Sequence, residues 1–348
     1  MKQIGKLSLL TLCACALSLG GQRAEVVRYE ASHDAMGTVF AVVAYGRDRN
    51  YLAEVVDEVF DEIDRLDSQM SNYKAESELS GINREAGNRE VVVEPRLFQL
   101  LEDSFRYSRD TGGAFDITVG PLMKLWGFFR GQGRVPSQAE IAQTLARIGY
   151  RHLKLDSGRR TIRFDTSGVE LDLGGIAKGY AVDRAVDILR SNGITAALVS
   201  SGTSSIYALG SPPGERGWTV KVRDPYDLHK AGDVLHLQNY SLSTSGCYEK
   251  YFKVGAKTYC HIMDPHTGWP VEGMLSTAVL APSTTESDAL TKPFFISGPQ
   301  GSRKYLAAYA NLAVVFYQPA GNPPSFRRTA MRSDSFQISS DQLAEVAK

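Results

Sequence analysis

The sequence lacks several features that mark common protein classes. Its 39 Lys and Arg residues balance 39 Asp and Glu residues, so no net field draws the chain to nucleic acid or to an acidic membrane surface. It contains no internal repeat and no low-complexity block. Cys247 and Cys260, the two cysteines outside the N-terminal segment, lack metal-ligand spacing and do not predict a zinc site. What remains is a globular protein of 348 residues that we do not expect to bind nucleic acid.

The N-terminal apolar segment, residues 7–19, is too short to span a bilayer as a mature helix. Lys2 and Lys6 precede it, an arrangement typical of an export signal. The run Leu-Cys-Ala-Cys ending at Cys15 resembles a bacterial lipobox, and ordinary cleavage near residues 20–24 is the alternative. We therefore predict a signal peptide over residues 1–24 and an exported, periplasmic, membrane-anchored lipoprotein with lipidated Cys15.

Cys247 and Cys260 are separated by a hairpin-like stretch. In an oxidising periplasm they could pair. A turn at Gly255-Ala256 would place Cys260 opposite Tyr251 instead, which favours two free thiols over a disulfide.

Hydrophobic periodicity predicts an α+β fold in which helices and strands occur in separate runs. We predict helices over 50–70, 95–109, 180–190, 287–296 and 302–310, and one that begins after Ser137 as N-cap with Glu140 completing a capping box. We predict strands over 39–45, 153–156, 161–164, 170–173, 196–200, 205–209, 218–222, 235–237, 241–243, 248–254, 257–263, 276–281 and 313–317. Residues 23–35 are predicted as a linker and those past Pro319 as peripheral. One domain is predicted over 25–335, followed by a peripheral C-terminal tail over 336–348.

The most informative stretch, residues 171–183, lies at a predicted strand-to-helix junction. Free backbone N–H groups and the positive end of the helix dipole favour an anion there, and Gly174 and Gly175 leave room for a phosphate. Lys178 could add a positive charge, and Asp172 or Asp183 an acceptor. A tight turn whose glycines only relieve strain is the alternative.

Four further segments carry candidate chemistry, each weak by itself. Residues 113–118 and 244–246 combine glycine with polar side chains, which also suits ordinary turns. His261 could act as a general base or phosphate ligand, with Asp264 orienting it or the neighbouring backbone, although a lone strand histidine is more often structural. Asp288 and Thr291 lie on one helix face, and both offer oxygen atoms that suit Mg²⁺.

Taken together, these segments resemble the ApbE family. The motifs that carry the resemblance occur in the family's order over about residues 36–315: Met36-Gly37-Thr38, Met70-Ser71-Asn72-Tyr73, Phe115-Asp116-Ile117-Thr118, the stretch 172–183, Thr244-Ser245-Gly246, the stretch 261–268 and Asp288-Ala289-Leu290. The stretch 172–183 and the pattern His-x-x-Asp-Pro-x-Thr-Gly are the specific ones.

The resemblance implies a single T-fold-related domain with helices packed on antiparallel sheet. It also implies a flavin transferase that splits FAD, with Mg²⁺, and attaches FMN to a threonine of a partner while AMP leaves. The acceptor would be a membrane or exported subunit of a quinone reductase or related electron-transport complex. An FAD pyrophosphatase giving FMN and AMP, and a flavin-binding protein without catalysis, are the alternatives.

The resemblance also implies roles for individual residues. The positions that match FAD contacts are Met36, Tyr73, Ala114, Phe115, Asp116, Asp172, Lys178, Thr244 and Ile262. Metal ligands would be the Gly175 carbonyl, Asp288 and Thr291, and His261 would activate the acceptor hydroxyl while Asp288 serves catalysis through the metal.

Two departures from the family pattern bear on these roles. Lys292 stands where the family has a threonine four residues after the metal aspartate, and a charged ammonium cannot ligate Mg²⁺. Either Lys292 points away from the metal site or the site holds metal weakly. Cys247 stands where the family has an aspartate.

Overall fold

The computed structural model describes residues 26–129, 131 and 133–336. The predicted signal peptide, Cys15 and residues 337–348 of the predicted tail lie outside the described residues. The strands are β1 Val27–Ala35, β2 Thr38–Gly46, β3 Val91–Val92, β4 Leu153–Asp156, β5 Thr161–Phe164, β6 Ala196–Ser201, β7 Ser205–Leu209, β8 Trp218–Arg223, β9 Ala231–Leu237, β10 Tyr240–Gly246, β11 Tyr251–Val254, β12 Lys257–Cys260, β13 Ser276–Ala281, β14 Ala313–Pro319 and β15 Phe326–Arg332. The α-helices are α1 Arg49–Met70, α2 Glu78–Glu85, α3 Pro95–Asp110, α4 Gly120–Leu125, α5 Gln138–Leu145, α6 Ala177–Ser191 and α7 Thr284–Ala308.

An eight-stranded antiparallel sheet forms the centre of the molecule, in the order β1-β2-β6-β7-β10-β13-β14-β15. Helices α1, α6 and α7 cover one face and bury the main hydrophobic core against it. The hairpin β8–β9 contributes to a smaller core on the other face, where Trp218, Leu235 and Tyr317 pack. The predicted α+β class, with helices on antiparallel sheet, is confirmed.

Local sequence determines several of these elements directly. The apolar positions of α1 all face the core: Leu52, Val55, Val56, Val59, Phe60, Ile63 and Leu66 are buried. Helix α5 begins with the predicted capping box, because Ser137 accepts from the Glu140 backbone and the Glu140 side chain accepts from the Ser137 backbone.

The predicted linker is wrong where the structure describes it, because β1 occupies Val27–Ala35 as an edge strand paired to β2. Its side chains alternate between partly buried and exposed, with charged residues on the outer face. The C-terminal segment is likewise not all peripheral. Strand β15 pairs with β14 at the opposite edge, and Phe336 packs into the smaller core.

Other predicted boundaries shift for identifiable reasons. Residues 170–173 form only a single bridge, Val119 to Glu170, because the Asn83 side chain bonds both the backbone N–H and C=O of Leu171 where a neighbouring strand would. The two predicted C-terminal helices meet in α7, which Gly298 breaks at φ 59°. Among the described residues, no helix has the length and apolar character needed to cross a bilayer.

Candidate functional site

The junction between α6 and α7 forms the buried part of the site. The Asp288 carboxylate accepts the Gly179 backbone N–H through Oδ2 at 2.9 Å, so α7 caps the first turn of α6. In return Asp183 accepts the backbone N–H groups of Thr284 and Thr285 and caps α7. Each carboxylate therefore satisfies helix-end donors of the other helix.

Gly179 makes this junction possible. A Cβ at that position would lie 2.3 Å from the Thr284 carbonyl oxygen and 2.7 Å from Asp288 Cβ. Gly179, the third glycine of the motif, is thus required by helix packing. One helix-end donor that the sequence suggested for a ligand is already taken by Asp288.

Two of the three predicted metal ligands, Asp288 and Gly175, lie against the side chain of Lys292. Its ammonium donates to Asp288 Oδ1 at 2.6 Å and to the Asp288 carbonyl at 2.9 Å. A Cβ on Gly175 would lie 3.4 Å from Lys292 Cε, and the Thr291 hydroxyl accepts from Ser245 and donates to the Asp288 carbonyl. Lys292 therefore does not point away from the predicted metal site.

These contacts do not fit a divalent ion at Asp288. One carboxylate oxygen accepts the Gly179 N–H and the other faces an ammonium, which would repel a second cation at the same place. Removing Lys292 from the carboxylate would have to precede any metal binding there.

His261 lies at the end of β12 with its ring orientation fixed by one backbone carbonyl. Nδ1 is 2.9 Å from the Lys250 carbonyl oxygen, which can only accept, so Nδ1 carries the proton and Nε2 keeps its lone pair. Burial lowers the pKa of His261 to about 4, and the positive charges of Lys250, Lys178 and Lys292 act in the same direction. At neutral pH the imidazole is uncharged and Nε2 is available as a proton acceptor.

The contacts of Asp288 bring several of the predicted residues together. Asp288 accepts from Lys292 and from the backbone N–H of Gly179, the residue after Lys178. Besides burial, the charges of Lys178 and Lys292 lower the pKa of His261. Lys292 thus joins Lys178 at the start of α6, and both lysines act on the neutral base His261.

A disulfide joins Cys247 to Cys260, with 5.0 Å between the Cα atoms. Our preference for two free thiols is therefore wrong, although the register it rested on is correct, because Tyr251 does pair with Cys260. The turn at residues 248–250 folds the chain back and brings Cys247 beside the same strand end. The bond ties the end of β10 to the residue next to His261.

Residues 113–118 form a buried loop beside the glycine-rich junction. Ala114, Phe115 and Asp116 are all buried, and a Cβ on Gly175 would lie 3.5 Å from Phe115 Cε2. Asp116 accepts from the backbone and hydroxyl of Thr118 and from the backbone of Tyr150. Burial raises the pKa of Asp116. Its carboxylate holds the loop together, and Phe115 reaches the junction.

Tyr73 is the most exposed of the predicted FAD contacts, at 64%. Its ring stacks on Phe129, with ring centroids 4.2 Å apart and planes 3° from parallel. Asp172 acts on the pKa of Tyr73, which is raised mainly by burial, so the aromatic pair lies near the glycine-rich motif. Asp172 itself accepts the Gly174 N–H at 2.8 Å.

The remaining predicted contacts lie at strand ends. Met36 has φ 50° in the tight β1–β2 turn and packs on the main core. Thr244 lies in β10, where its backbone N–H donates to the Ser204 carbonyl, and its neighbour Ser245 points to Thr291. Ile262 is buried directly after His261.

Sequence reasoning missed Phe129, which carries no motif signal and is identified only by its stacking on Tyr73. Of the two roles predicted for Asp264, the second is confirmed: it accepts from the His266 backbone and from the His266 and Thr267 side chains, and so shapes the loop that follows. The pattern His-x-x-Asp-Pro-x-Thr-Gly already contained these partners.

Two surface cavities differ in their relation to this site. One of about 470 Å³ is lined by Asp264, Trp269 and Glu272, among others, and includes none of the predicted contacts. A second, of about 250 Å³, is lined by Phe128, Lys250 and Phe252, among others. It borders His261, because the Lys250 carbonyl holds that ring.

Comparison with known proteins places these residues in context. The model of the ApbE family matches residues 36–316. The FAD:protein FMN transferase of Treponema pallidum (strain Nichols) is 31% identical over 332 residues, covering 90% of this chain and 91% of that protein. The FAD:protein FMN transferase of Escherichia coli (strain K12) is 31% identical over 275 residues, covering 77% and 78%. The crystal structure of the ApbE protein of Thermotoga maritima superposes with a TM-score of 0.80 at 31% identity, covering 89% of this chain and 98% of that one.

Proposed function

Because this chain belongs to the ApbE family, we propose that its site performs the reaction for which its relatives are named. The protein is an FAD:protein FMN transferase: it uses FAD as substrate and acts on a flavin-accepting protein. The observation that carries the assignment to this site is the contact of Lys292 with Asp288, which caps Gly179 and so places Lys292 at the start of α6 with Lys178. The neutral base His261 feels the charges of both lysines.

The pyrophosphate of FAD is the charged part of the substrate, and we assign it to the site at the start of α6 where Lys178 and Lys292 lie. Lys178 and the ammonium of Lys292 supply positive charge, and the bared backbone of Gly174 and Gly175 lets phosphate oxygens approach. Tyr73 and Phe129 offer flat apolar faces to a ring of the dinucleotide. Met36, Ala114, Phe115, Thr244 and Ile262 line the same region in this proposal, and Asp172 fixes the glycine turn.

In the proposed chemistry a threonine hydroxyl of the acceptor attacks the phosphorus of the FMN half. A new P–O bond forms to the threonine oxygen, the bridging P–O bond breaks, and AMP leaves with the bridging oxygen. The hydroxyl proton passes to Nε2 of His261, and general-base assistance of this kind contributes about 10²–10⁴-fold. The fixed cations stabilise charge that develops on the phosphoryl oxygens and on the leaving AMP.

We assign no role to Mg²⁺ in this proposal. The resemblance predicts it, but the Asp288 carboxylate is paired with Lys292 and with the Gly179 N–H. Every step above is therefore assigned to residues of the chain.

We propose that the protein is exported, with residues 1–24 as its signal, and acts in the periplasm as a lipoprotein anchored through Cys15. Support comes from the basic N-terminus followed by a short apolar run. The Cys247–Cys260 disulfide also suits an oxidising compartment. We propose as acceptor a membrane or exported subunit of a quinone reductase or related electron-transport complex.

One incubation distinguishes transfer from its alternatives. The purified protein is mixed with FAD and the apo form of a sodium-translocating quinone reductase flavin subunit, and the subunit is analysed by mass spectrometry. A threonine-linked FMN adduct, with AMP released, supports the proposal. Free FMN and AMP without an adduct would identify an FAD pyrophosphatase, and intact bound FAD a binding protein. His261→Ala is the matched control for background transfer.

A further inference from the structure

Lys292 lies against two of the three groups that the resemblance assigns to a metal. Its ammonium bonds the Asp288 carboxylate, and its methylenes lie beside the backbone of Gly175. The side chain of Asp288 is almost fully buried, at 4% exposure, whereas that of Lys292 remains 22% exposed. The ammonium is therefore bonded to a buried carboxylate on a side chain that solvent still reaches.

The hydrogen bonds of Lys292 leave one donor for a ligand. An ammonium has three N–H donors. Within the described part of the chain two of them have acceptors, Asp288 Oδ1 and the Asp288 carbonyl, at 2.6 and 2.9 Å. The third donor can therefore be offered to a phosphate oxygen.

Asp288 favours a fixed cation at this point, whereas burial and the charge of Lys178 lower the pKa of Lys292. Asp288 holds the ammonium in place, while Gly175 has no side chain to separate the Lys292 methylenes from the glycine-rich turn. Lys178 supplies a second positive charge nearby. Two cations side by side are unfavourable unless an anion binds between them, and a pyrophosphate carries enough charge to do so.

We infer that the Lys292 ammonium takes the place of the divalent cation in this chain, so that FAD binds and FMN is transferred without added Mg²⁺. This inference rests on the proposed function, which supplies FAD as the substrate. What it adds is that FAD binding and FMN transfer do not require a metal ion. A lysine fixed by a buried carboxylate needs no metal supply and no ordering of metal-bound water.

The test measures FAD binding and FMN transfer separately, each in EDTA and in saturating Mg²⁺. FAD affinity is read by isothermal titration calorimetry on the full mature protein, and Mg²⁺ is titrated alone as a second probe. The unmodified protein should bind FAD with equal affinity in both buffers, within about twofold, and release no heat with Mg²⁺.

Variants at position 292 separate charge from volume. Lys292→Met keeps the volume and should weaken FAD binding by about tenfold to a hundredfold in both buffers, because a charge-assisted hydrogen bond is lost. Lys292→Thr should bind FAD weakly in EDTA, regain affinity in Mg²⁺ and bind Mg²⁺ itself. Lys230→Met removes an exposed ion pair to Asp227 elsewhere and should behave like the unmodified protein.

Failures of the two proposals are distinguishable. Loss of FAD affinity in EDTA, or Mg²⁺ binding by the unmodified protein, would overturn the inference about Lys292 while leaving transfer intact. Metal-independent FAD binding without any FMN adduct would overturn the transferase proposal alone. No FAD binding in either buffer would overturn both. If Lys292→Met does not fold, the unmodified protein and Lys292→Thr still decide the question.

Discussion

The two halves of the site are held by different means. At the α6–α7 junction, Asp183 and Asp288 each cap the opposite helix, and the contacts are buried and internal to the core. His261 is instead positioned by the Lys250 carbonyl, by the Cys247–Cys260 disulfide and by the β11–β12 hairpin, which together we call the His261 arm. The junction therefore couples its charges to the stability of the whole domain, whereas the His261 arm can be disturbed with much less effect on folding.

His261 is the residue at which this contrast should be sharpest. His261→Ala should lower turnover by about 10²–10⁴-fold through loss of the general base, with little change in FAD affinity or in the free energy of unfolding. Steady-state kinetics and urea denaturation measure the two effects on one preparation. A variant that loses stability in proportion to activity would assign His261 to the fold instead.

Asp288 should show the opposite balance. Asp288→Ala leaves Lys292 partly buried without its carboxylate and removes the cap on Gly179, so we expect a loss of ~3–5 kcal/mol in the free energy of unfolding. Asp288→Asn keeps the cap and should lose less. Urea denaturation compares the three proteins. Equal midpoints for Asp288→Ala and the unmodified protein would show that the Asp288 contacts do not stabilise the α6–α7 junction.

Opening the disulfide tests how far the His261 arm depends on it. The double variant Cys247→Ser, Cys260→Ser should lose about 2–3 kcal/mol of stability, since the bond closes a short loop. Its kcat should fall because His261, next to Cys260, is less well positioned. A dithiol reductant should reproduce both changes in the unmodified protein and leave the double variant unaffected; if it slows the double variant equally, the effect lies elsewhere.

The pH dependence of kcat/KM should distinguish the buried His261 from a solvent-exposed histidine. Because the pKa of His261 is lowered to about 4, the imidazole should accept a proton from the acceptor hydroxyl throughout the neutral range. The acid limb of kcat/KM should therefore fall as pH decreases through about 4, not through 6.5. A limb near 6.5 that disappears in His261→Ala would contradict the buried environment described for this ring.

Glu286, in the first turn of α7, should give the smallest effect, a change in the pH dependence of stability that arises at the α6–α7 junction. Burial raises its pKa to about 7 from the ordinary 4.5, with Arg106 and Asp183 facing it. The folded state thus favours the protonated form, and stability should decrease as pH rises from 4.5 to 7. Glu286→Gln should remove that slope and raise stability at pH 8 by about 1–2 kcal/mol. Thermal melts with exposed Glu54→Gln as control would reveal it, and parallel slopes would contradict it.

The same division explains what the sequence could and could not predict. Periodic elements such as α1 were predictable because their apolar residues repeat along one face. Strand β1 was missed although its residues alternate, because the inward side chains of this edge strand are mostly only partly buried and include few large apolar residues. Within the site, the motif containing His261 was visible, but the Lys292–Asp288 pair depends on the rotamer of a long side chain that could have pointed outward. The disulfide escaped prediction because strand register alone does not describe the turn before it.

A crystal structure of the protein with FAD, grown in EDTA, tests the central claim most directly. We expect the pyrophosphate between the Nζ atoms of Lys178 and Lys292, with Lys292 still bonded to Asp288 and His261 Nε2 facing the phosphorus of the FMN half. FAD bound with its pyrophosphate away from these residues, or Lys292 turned away from Asp288, would contradict the proposed role of Lys292.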